Sequence, residues 1–263
     1  PNHAESHHNL ATLLLHDKKQ EEALKHYQEA FSLNPVNRTA QHMVQALKGE
    51  ENPEGTPLEY VRALFDQYAY SYDEHVKKTL EYQVPFKLRE AITPFAMKAE
   101  YTWRVLDLGC GTGLCAPYFN DLALKLIGVD ISPNMIAIAE ARGGYHKLII
   151  SDILSFLQKT QDPFDLILAA DVFVYFSALD DIFRGVARHL APKGLFAFSV
   201  ELLKGSEELE YILQPTGRHA HTQAYIERLA KLCGFEIKYC EKTMLRKQED
   251  THIEGLLCIL QKH

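Results

Sequence analysis

The chain has 263 residues, 46% of them hydrophobic, enough to bury a sizeable core. A formal net charge of -7, with no basic run longer than Lys77-Lys78 or Arg246-Lys247, argues against a nucleic-acid binder, which needs clustered cations. Five cysteines without a Cys-x-x-Cys pair suit reduced thiols better than a disulfide framework, and no signal-like or long apolar run occurs; a soluble cytoplasmic protein with no membrane partner is expected.

In chain order, the first pattern is helical. Leu10, Ala11, Leu14, Ala23, Tyr27, Ala30 and Pro35 fall where a tetratricopeptide repeat places its Leu, small, aromatic and Pro positions. Two helices, about 4–16 and 20–33, would meet at the alanines, with Asn34-Pro35 ending the second. Residues 37–48 read as the first helix of a next repeat, which breaks off at Gly49. One and a half repeats make no stable solenoid. This tetratricopeptide-like segment, residues 1–48, therefore docks on the rest of the chain or is the remnant of a longer array, as a groove for a protein partner or as a lid or dimer contact; an ordinary helical hairpin is the alternative. His3, His7 and His8 read as an exposed helix face, and residues 49–57, breakers and acids without an apolar residue, as a linker.

Thr56 reads as an N-cap with Pro57 at N1, starting a helix to about Asp66. Phe65 to Asp73 follows, unusually aromatic for a connection, then helical residues to about Leu80 and a second helix over about 84–97, with Pro94 late in it. Residues 58–98 are expected to cover a core formed by 99–263, together one domain, 58–263. From Trp103 short apolar runs alternate with amphipathic ones: strands at 103–108, 125–130, 146–151, 164–170 and 194–201, helices at 113–121, 133–142, 153–159 and 178–190. That rhythm predicts a parallel sheet with helices on both faces. A helix at about 222–233, capped by Thr222, precedes two β-like runs, 235–244 and 254–261, whose polar link (Arg246 onward) implies an antiparallel edge.

The chemistry gathers at Asp107-Leu-Gly-Cys-Gly-Thr-Gly113. Gly109, Gly111 and Gly113 follow a short buried strand and let a ligand lie against the main chain. The nicotinamide dinucleotide fingerprint is Gly-x-Gly-x-x-Gly; Gly-x-Gly-x-Gly with an acid just ahead instead suits a ligand carrying an ammonium and a carboxylate. Asp130 closes the second strand, where a carboxylate takes both hydroxyls of a ribose. Asp152 ends the third, where it can accept from an adenine amino group, and Ile131, Met135 and Ile153 can sandwich the ring. Three acids at three strand ends define one crevice at the carboxyl edge of the sheet.

These motifs, with Val-Asp130-Ile-Ser-Pro-Asn-Met135 and Ser-Asp152-Ile, resemble a class I S-adenosylmethionine-dependent methyltransferase over residues 100–200. The preceding repeat-like segment resembles that of predicted bacterial methyltransferases carrying tetratricopeptide repeats. The resemblance implies an α/β, Rossmann-like fold with a seven-stranded, mostly parallel sheet and an antiparallel edge strand, preceded by the all-α segment. It implies S-adenosyl-L-methionine as cofactor, held by Asp107, Gly109, Cys110, Gly111, Gly113, Asp130, Ile131, Met135, Asp152, Ile153 and Asp171. Phe65 to Asp73 resembles the cover helices of the small-molecule and carrier-protein branch, with Tyr68 on the cofactor and Tyr72 beside it. It also implies methyl transfer to an O or N of a small-molecule or carrier-bound acceptor.

Alignment of donor and acceptor supplies much of such catalysis, so a fixed catalytic residue is not required. The candidates are Tyr175 after the fourth strand and His219 and His221 in the stretch 214–222, where Arg218 can hold a carboxylate or phosphate; a polar surface loop is the alternative. Val172 and Phe173 would pack near the adenosine or methyl, and Asp171 would hold the acceptor, the ammonium or a salt bridge. The Asn/Asp-Pro-Pro-aromatic tetrad and the Pro-Cys nucleophile of DNA enzymes are absent, and no residue set for a metal is evident. A protein methyltransferase that docks through the repeat segment and a non-catalytic adaptor remain the other readings.

Overall fold

The computed structural model describes residues 2–50, 55–97, 102–205, 208–248 and 251–263. Part of the expected linker (51–54) and the expected start of the core (98–101) lie outside them. The strands are β1 (Trp103–Leu108), β2 (Ala123–Asp130), β3 (Lys147–Ile150), β4 (Phe164–Ala169), β5 (Leu190–Glu201), β6 (Tyr211–Leu213), β7 (His219–His221), β8 (Phe235–Gln248) and β9 (Thr251–Lys262). Seven form one sheet in the order β3-β2-β1-β4-β5-β9-β8, and β6 pairs with β7 in a separate hairpin. β1 to β5 run parallel; β9 runs antiparallel between β5 and β8. The order reverses between β1 and β4, which opens a crevice at the carboxyl ends of those strands.

The helices are α1 (Ala4–His16), α2 (Gln20–Leu33), α3 (Arg38–Lys48), α4 (Leu58–Lys78), α5 (Val84–Ile92), α6 (Ala116–Phe119), α7 (Pro133–Arg142), α8 (Ile153–Lys159), α9 (Asp180–His189) and α10 (Gln223–Leu232). Phe156, Phe183, Tyr225 and Ile226 join one core with Phe196 and Phe198 of β5; Leu88 and Ile92 of α5 and Phe119 of α6 join a second with Val105, Leu126 and Ile259. α1 to α3 pack on a third, smaller cluster of Ala11, Ala23, Tyr27, Met43 and Val44. The histidine face is not uniformly exposed: His7 and His8 are half-buried, His7 against His26 and His8 against Tyr27.

Several local expectations are corrected. α4 does not stop near Asp66; it continues through the aromatic stretch as one helix to Lys78, with Pro57 rather than Thr56 at its N-cap. The Thr56 hydroxyl is used elsewhere, on His219. α5 ends at Ile92, and Thr93–Phe95 form a 3-10 turn, because Pro94 lacks the N–H needed to continue the helix. The helix expected over 113–121 shrinks to the four residues of α6. β5 begins at Leu190, and β8 runs through Arg246 to Gln248, residues expected in a polar link.

Cys240 and Cys258, directly opposite in the β8–β9 register, are joined as a disulfide, against the expectation of reduced thiols throughout; Cys110, Cys115 and Cys233 are free. Among the described residues no helix is long and apolar enough to cross a membrane.

At Gly255 β9 passes close to its neighbours. A Cβ there would sit 2.3 Å from both Leu245 Cδ1 and the Val200 carbonyl oxygen. The second contact is backbone and cannot yield cheaply. Gly255→Ala is expected to lower stability by about 1–3 kcal/mol in urea titration; an unchanged midpoint would contradict the packing.

Candidate functional site

At the crevice, α4 lies over the carboxyl ends of β1 to β4 and covers a pocket whose empty space, open solvent included, is about 740 Å³. Leu58, Val61, Phe65 and Tyr72 line its α4 side, positions on one helical face. The sheet side contributes Gly109 and Gly111, then Asp130, Ile131 and Met135, then Ser151, Asp152 and Ile153, and finally Ala170, Asp171, Val172, Tyr175 and Phe176.

Two carboxylates one heptad apart fasten the cover. Asp66 accepts from the Ser132 hydroxyl at 2.5 Å, and its carbonyl accepts from the Asn134 amide at 2.9 Å. Asp73 accepts from the Thr112 hydroxyl at 2.6 Å and pairs with Arg142, whose Nε also donates to the Thr112 carbonyl at 2.7 Å. α4 is thereby tied to the glycine loop and to both ends of α7.

The loop itself turns on positive φ at Gly109, Gly111 and Gly113. A Cβ on Gly109 would stand 2.4 Å from Val172 Cγ2, so the loop and the β4 end close on each other only with glycine there. Asp130 lines the cavity and is held by backbone N–H donors, Gly111 to Oδ2 at 2.9 Å, Ser132 to Oδ1 at 2.8 Å, and Ile131. Asp152 caps α8 through Ser155 N at 2.9 Å while lining the cavity.

Asp107 lies deeper, fully buried beneath the loop. Its Oδ2 accepts from the Tyr145 hydroxyl at 2.6 Å, and Oδ1 has no hydrogen-bond partner among the described residues. Burial pushes its pKa up to about 7, against the lowering effect of Tyr145 and Cys115.

On the far side a buried ion network closes the site. Asp171 adopts positive φ at the end of β4, with its N–H donating to Ser199 Oγ at 2.9 Å. Both its oxygens accept from Arg246 Nη1, at 2.6 and 2.7 Å, and Nη2 pairs with Glu201, whose other oxygen accepts from Gln214. Burial would lower the Arg246 pKa, but Asp171 and Glu201 outweigh it and keep the guanidinium charged. Arg246 was not legible as a site residue: a register shift in β8 at Met244/Arg246 turns it inward, next to the equally buried Leu245.

Of the residues proposed from sequence, the structure brings Gly109, Gly111, Asp130, Ile131, Met135, Asp152, Ile153, Asp171, Val172 and Tyr175 to the cavity wall. Cys110, Gly113 and Asp107 stand just behind it: a Cβ on Gly128 would lie 2.8 Å from the Cys110 sulfur, and one on Gly113 3.1 Å from Tyr145. Tyr68 is not in the wall; its hydroxyl bonds to His75 and its ring meets Tyr72, which does line the cavity. Phe173 belongs to the core with Phe196 and Phe198.

The stretch 214–222 is the turn and second strand of the β6–β7 hairpin, exposed at Pro215 and Thr216 and buried at Gly217 and His219–Thr222, and Thr222 caps α10. His219 Nε2 meets Thr56 Oγ at 3.2 Å, and His221 Nε2 donates to the Ser177 carbonyl at 2.9 Å. Burial pushes their pKa values down to about 3 and about 4, so both are neutral at pH 7. The hairpin is also braced from the N-terminal segment, where His42 Nε2 of α3 donates to the Gly217 carbonyl at 2.9 Å. Among the described residues no group of three or more His, Cys, Asp or Glu is placed to hold a metal ion.

A family model described as a methyltransferase domain matches residues 72–239, well over half of the chain, and the chain belongs to that family. Its relatives carry more particular names. The chain is 28% identical to malonyl-[acyl-carrier protein] O-methyltransferase of Bacillus cereus over 141 residues, 51% of this chain and 50% of that one. It is 32% identical to ubiquinone biosynthesis O-methyltransferase of Rhodopseudomonas palustris over 95 residues, 35% of this chain and 37% of that one. The chain thus spans at most about half the length of these relatives.

Two solved structures share the fold. Magnesium protoporphyrin IX methyltransferase of Synechocystis, with bound S-adenosylhomocysteine, superposes with a TM-score of 0.59 at 14% identity over 78% of this chain and 99% of that one. The 1,6-didemethyltoxoflavin-N1-methyltransferase of Burkholderia thailandensis gives 0.55 at 17% identity over 81% and 93%.

The raised pKa of Asp107 has a consequence for stability. A carboxyl whose folded pKa lies above its unfolded value stabilises the fold fully below the ordinary carboxylate range, and that contribution is lost as pH rises through about 7. Ligand-free protein is expected to lose up to about 4 kcal/mol from this group between about pH 4 and 7. Urea titrations of the wild type and Asp107→Asn across that range should diverge accordingly; parallel pH profiles would contradict it.

Proposed function

We propose that the chain transfers the methyl group of S-adenosylmethionine to an O or N of a small-molecule or carrier-bound acceptor. The observation that carries this reading is the single cavity onto which three consecutive strand ends present a glycine loop, Asp130 and Asp152 beneath an aromatic cover helix. The residues fit the cofactor. Asp130, oriented by backbone donors, faces the cavity where a carboxylate can accept from ribose hydroxyls, and Asp152 lines it where an adenine amino group would donate. Ile131, Met135 and Ile153 provide apolar faces for the ring. Asp107 Oδ1, buried without a hydrogen-bond partner among the described residues, suits an ammonium beside the loop.

When bound, the sulfonium supplies an activated methyl group with its own leaving group. The chain's task is then to orient and to exclude water. α4 closes the site through Asp66 and Asp73, and Phe65, Tyr72 and Tyr175 surround the space in front of β4, with Phe65 and Tyr175 edge to face at 5.3 Å. His219 and His221 serve as braces of the hairpin rather than as bases. The repeat-like segment is read the same way: α3 holds Gly217 from behind, so its role is to support the acceptor side.

Asp130→Ala is expected to weaken S-adenosylhomocysteine binding at least about 100-fold in calorimetry, the loss of two hydrogen bonds to a charged group. Unchanged affinity would remove the cofactor assignment.

A further inference from the structure

Asp130, Asp152 and Asp171 are the carboxylates among the lining residues, and each is already engaged. Asp130 accepts from the N–H groups of Gly111 and Ser132, Asp152 caps α8, and Asp171 receives Arg246 on both oxygens. In front of β4 the wall is aromatic instead, made by Phe65 and Tyr72 of α4 and by Tyr175. Their rings meet edge to face rather than stacked. Phe65 lies 5.3 Å from Tyr175 at an interplanar angle of 83°, and 6.3 Å from Tyr72 at 66°. Mutually inclined rings of this kind wall a corner rather than fill it.

The fastening of α4 sets where that corner lies. Phe65 stands next to Asp66, which holds Ser132, two residues beyond Asp130. Tyr72 stands next to Asp73, which holds Thr112 inside the glycine loop. The helix face from Phe65 to Tyr72, about 10 Å long, thus runs from the ribose carboxylate to the loop. In S-adenosylmethionine the sulfur is bonded to the ribose on one side and to the amino-acid chain on the other. With the ribose at Asp130 and the amino-acid end at the loop, the sulfur falls between these two anchors, beneath Phe65 and Tyr72.

We infer that Phe65, Tyr72 and Tyr175 hold the sulfonium by cation–π attraction, so that the site distinguishes the charged donor from its neutral product. The faces of aromatic rings are electron-rich and attract a cation, most strongly where water is excluded. When the methyl group leaves, sulfur keeps the bonding pair of the S–CH3 bond and becomes a neutral thioether, and the attraction is lost. The charge already falls on the way to the transition state. The corner therefore acts on donor binding and product release rather than on the barrier. This rests on the cofactor reading above and adds to it a set of residues outside the glycine loop and the strand-end acids.

The test is calorimetry of the full chain with three ligands: S-adenosylmethionine, neutral S-adenosylhomocysteine, and sinefungin, which carries an ammonium in place of the S–CH3 group. Packing lost on substitution weakens all three alike and cancels when the charged ligands are compared with the neutral one. In Tyr72→Leu and in Phe65→Leu the two charged ligands should lose at least about threefold in affinity relative to S-adenosylhomocysteine. Tyr72→Phe and Phe65→Tyr, which keep a ring, should retain the wild-type ratio. Binding of S-adenosylhomocysteine shows that a variant is folded, and the two positions carry the comparison independently. Ratios unchanged in the leucine variants, or lowered equally in the ring-conserving ones, overturn the inference while leaving the cofactor reading in place. Wild-type protein that binds none of the three ligands contradicts the cofactor reading and this inference with it.

Discussion

Asp66 and Asp73 stand two turns apart on α4, and each reaches across a gap to a different part of the same ligand frame: Asp66 to the start of α7, Asp73 to the glycine loop and the end of α7. These are charge-assisted contacts, of the kind that contributes about 1.5–3 kcal/mol each when well formed. Their importance lies in where they act. The glycine loop needs positive φ and an unobstructed approach to Val172, and its hold on the cover runs through Thr112, between Gly111 and Gly113. The cover is fastened by acids that grip Thr112, Ser132, Asn134 and Arg142. Phe65 and Tyr72 are thereby set over the cavity, and the site becomes an enclosure rather than a sheet edge.

The opposite wall follows a different logic. Asp171, Glu201, Arg246 and Arg218 put two carboxylates and two guanidinium groups into a largely buried region, an arrangement stable only when each charge is matched. The hairpin that carries Arg218 buries Leu213 and Ala220, packs Tyr211 on the main core, and is braced by polar contacts from α3 and Thr56. This gives the N-terminal helices a structural reason to remain attached. They brace the β6–β7 hairpin from behind, and His42 is the atom-level link.

Much of the central frame was legible in the sequence because its signals are local. Alternating apolar runs gave the strands, Gly109-x-Gly111-x-Gly113 gave the loop, and Asp130 and Asp152 gave two corners of the cavity. The missed elements depend on non-local geometry. Arg246 reads as part of a polar link until a register shift in β8 turns it inward, and the Cys240–Cys258 pair exists only once β8 and β9 are aligned. His219 and His221 look like titratable loop residues, yet neighbouring elements bury both. One signal was available and unused: Asp66 and Asp73, seven residues apart on a helix that also presents Leu58, Val61, Phe65 and Tyr72 at cavity-facing positions.

If α4 and the three strand ends together enclose one cofactor site, ligand must protect them together, and hydrogen–deuterium exchange of the full chain with and without S-adenosylhomocysteine reads this. Increased protection is expected in Phe65–Asp73 of α4 together with the loop at Gly109–Gly113 and the segment after Asp130, all at the same ligand concentration. Protection confined to the loop, with α4 exchanging as in the ligand-free protein, would contradict it.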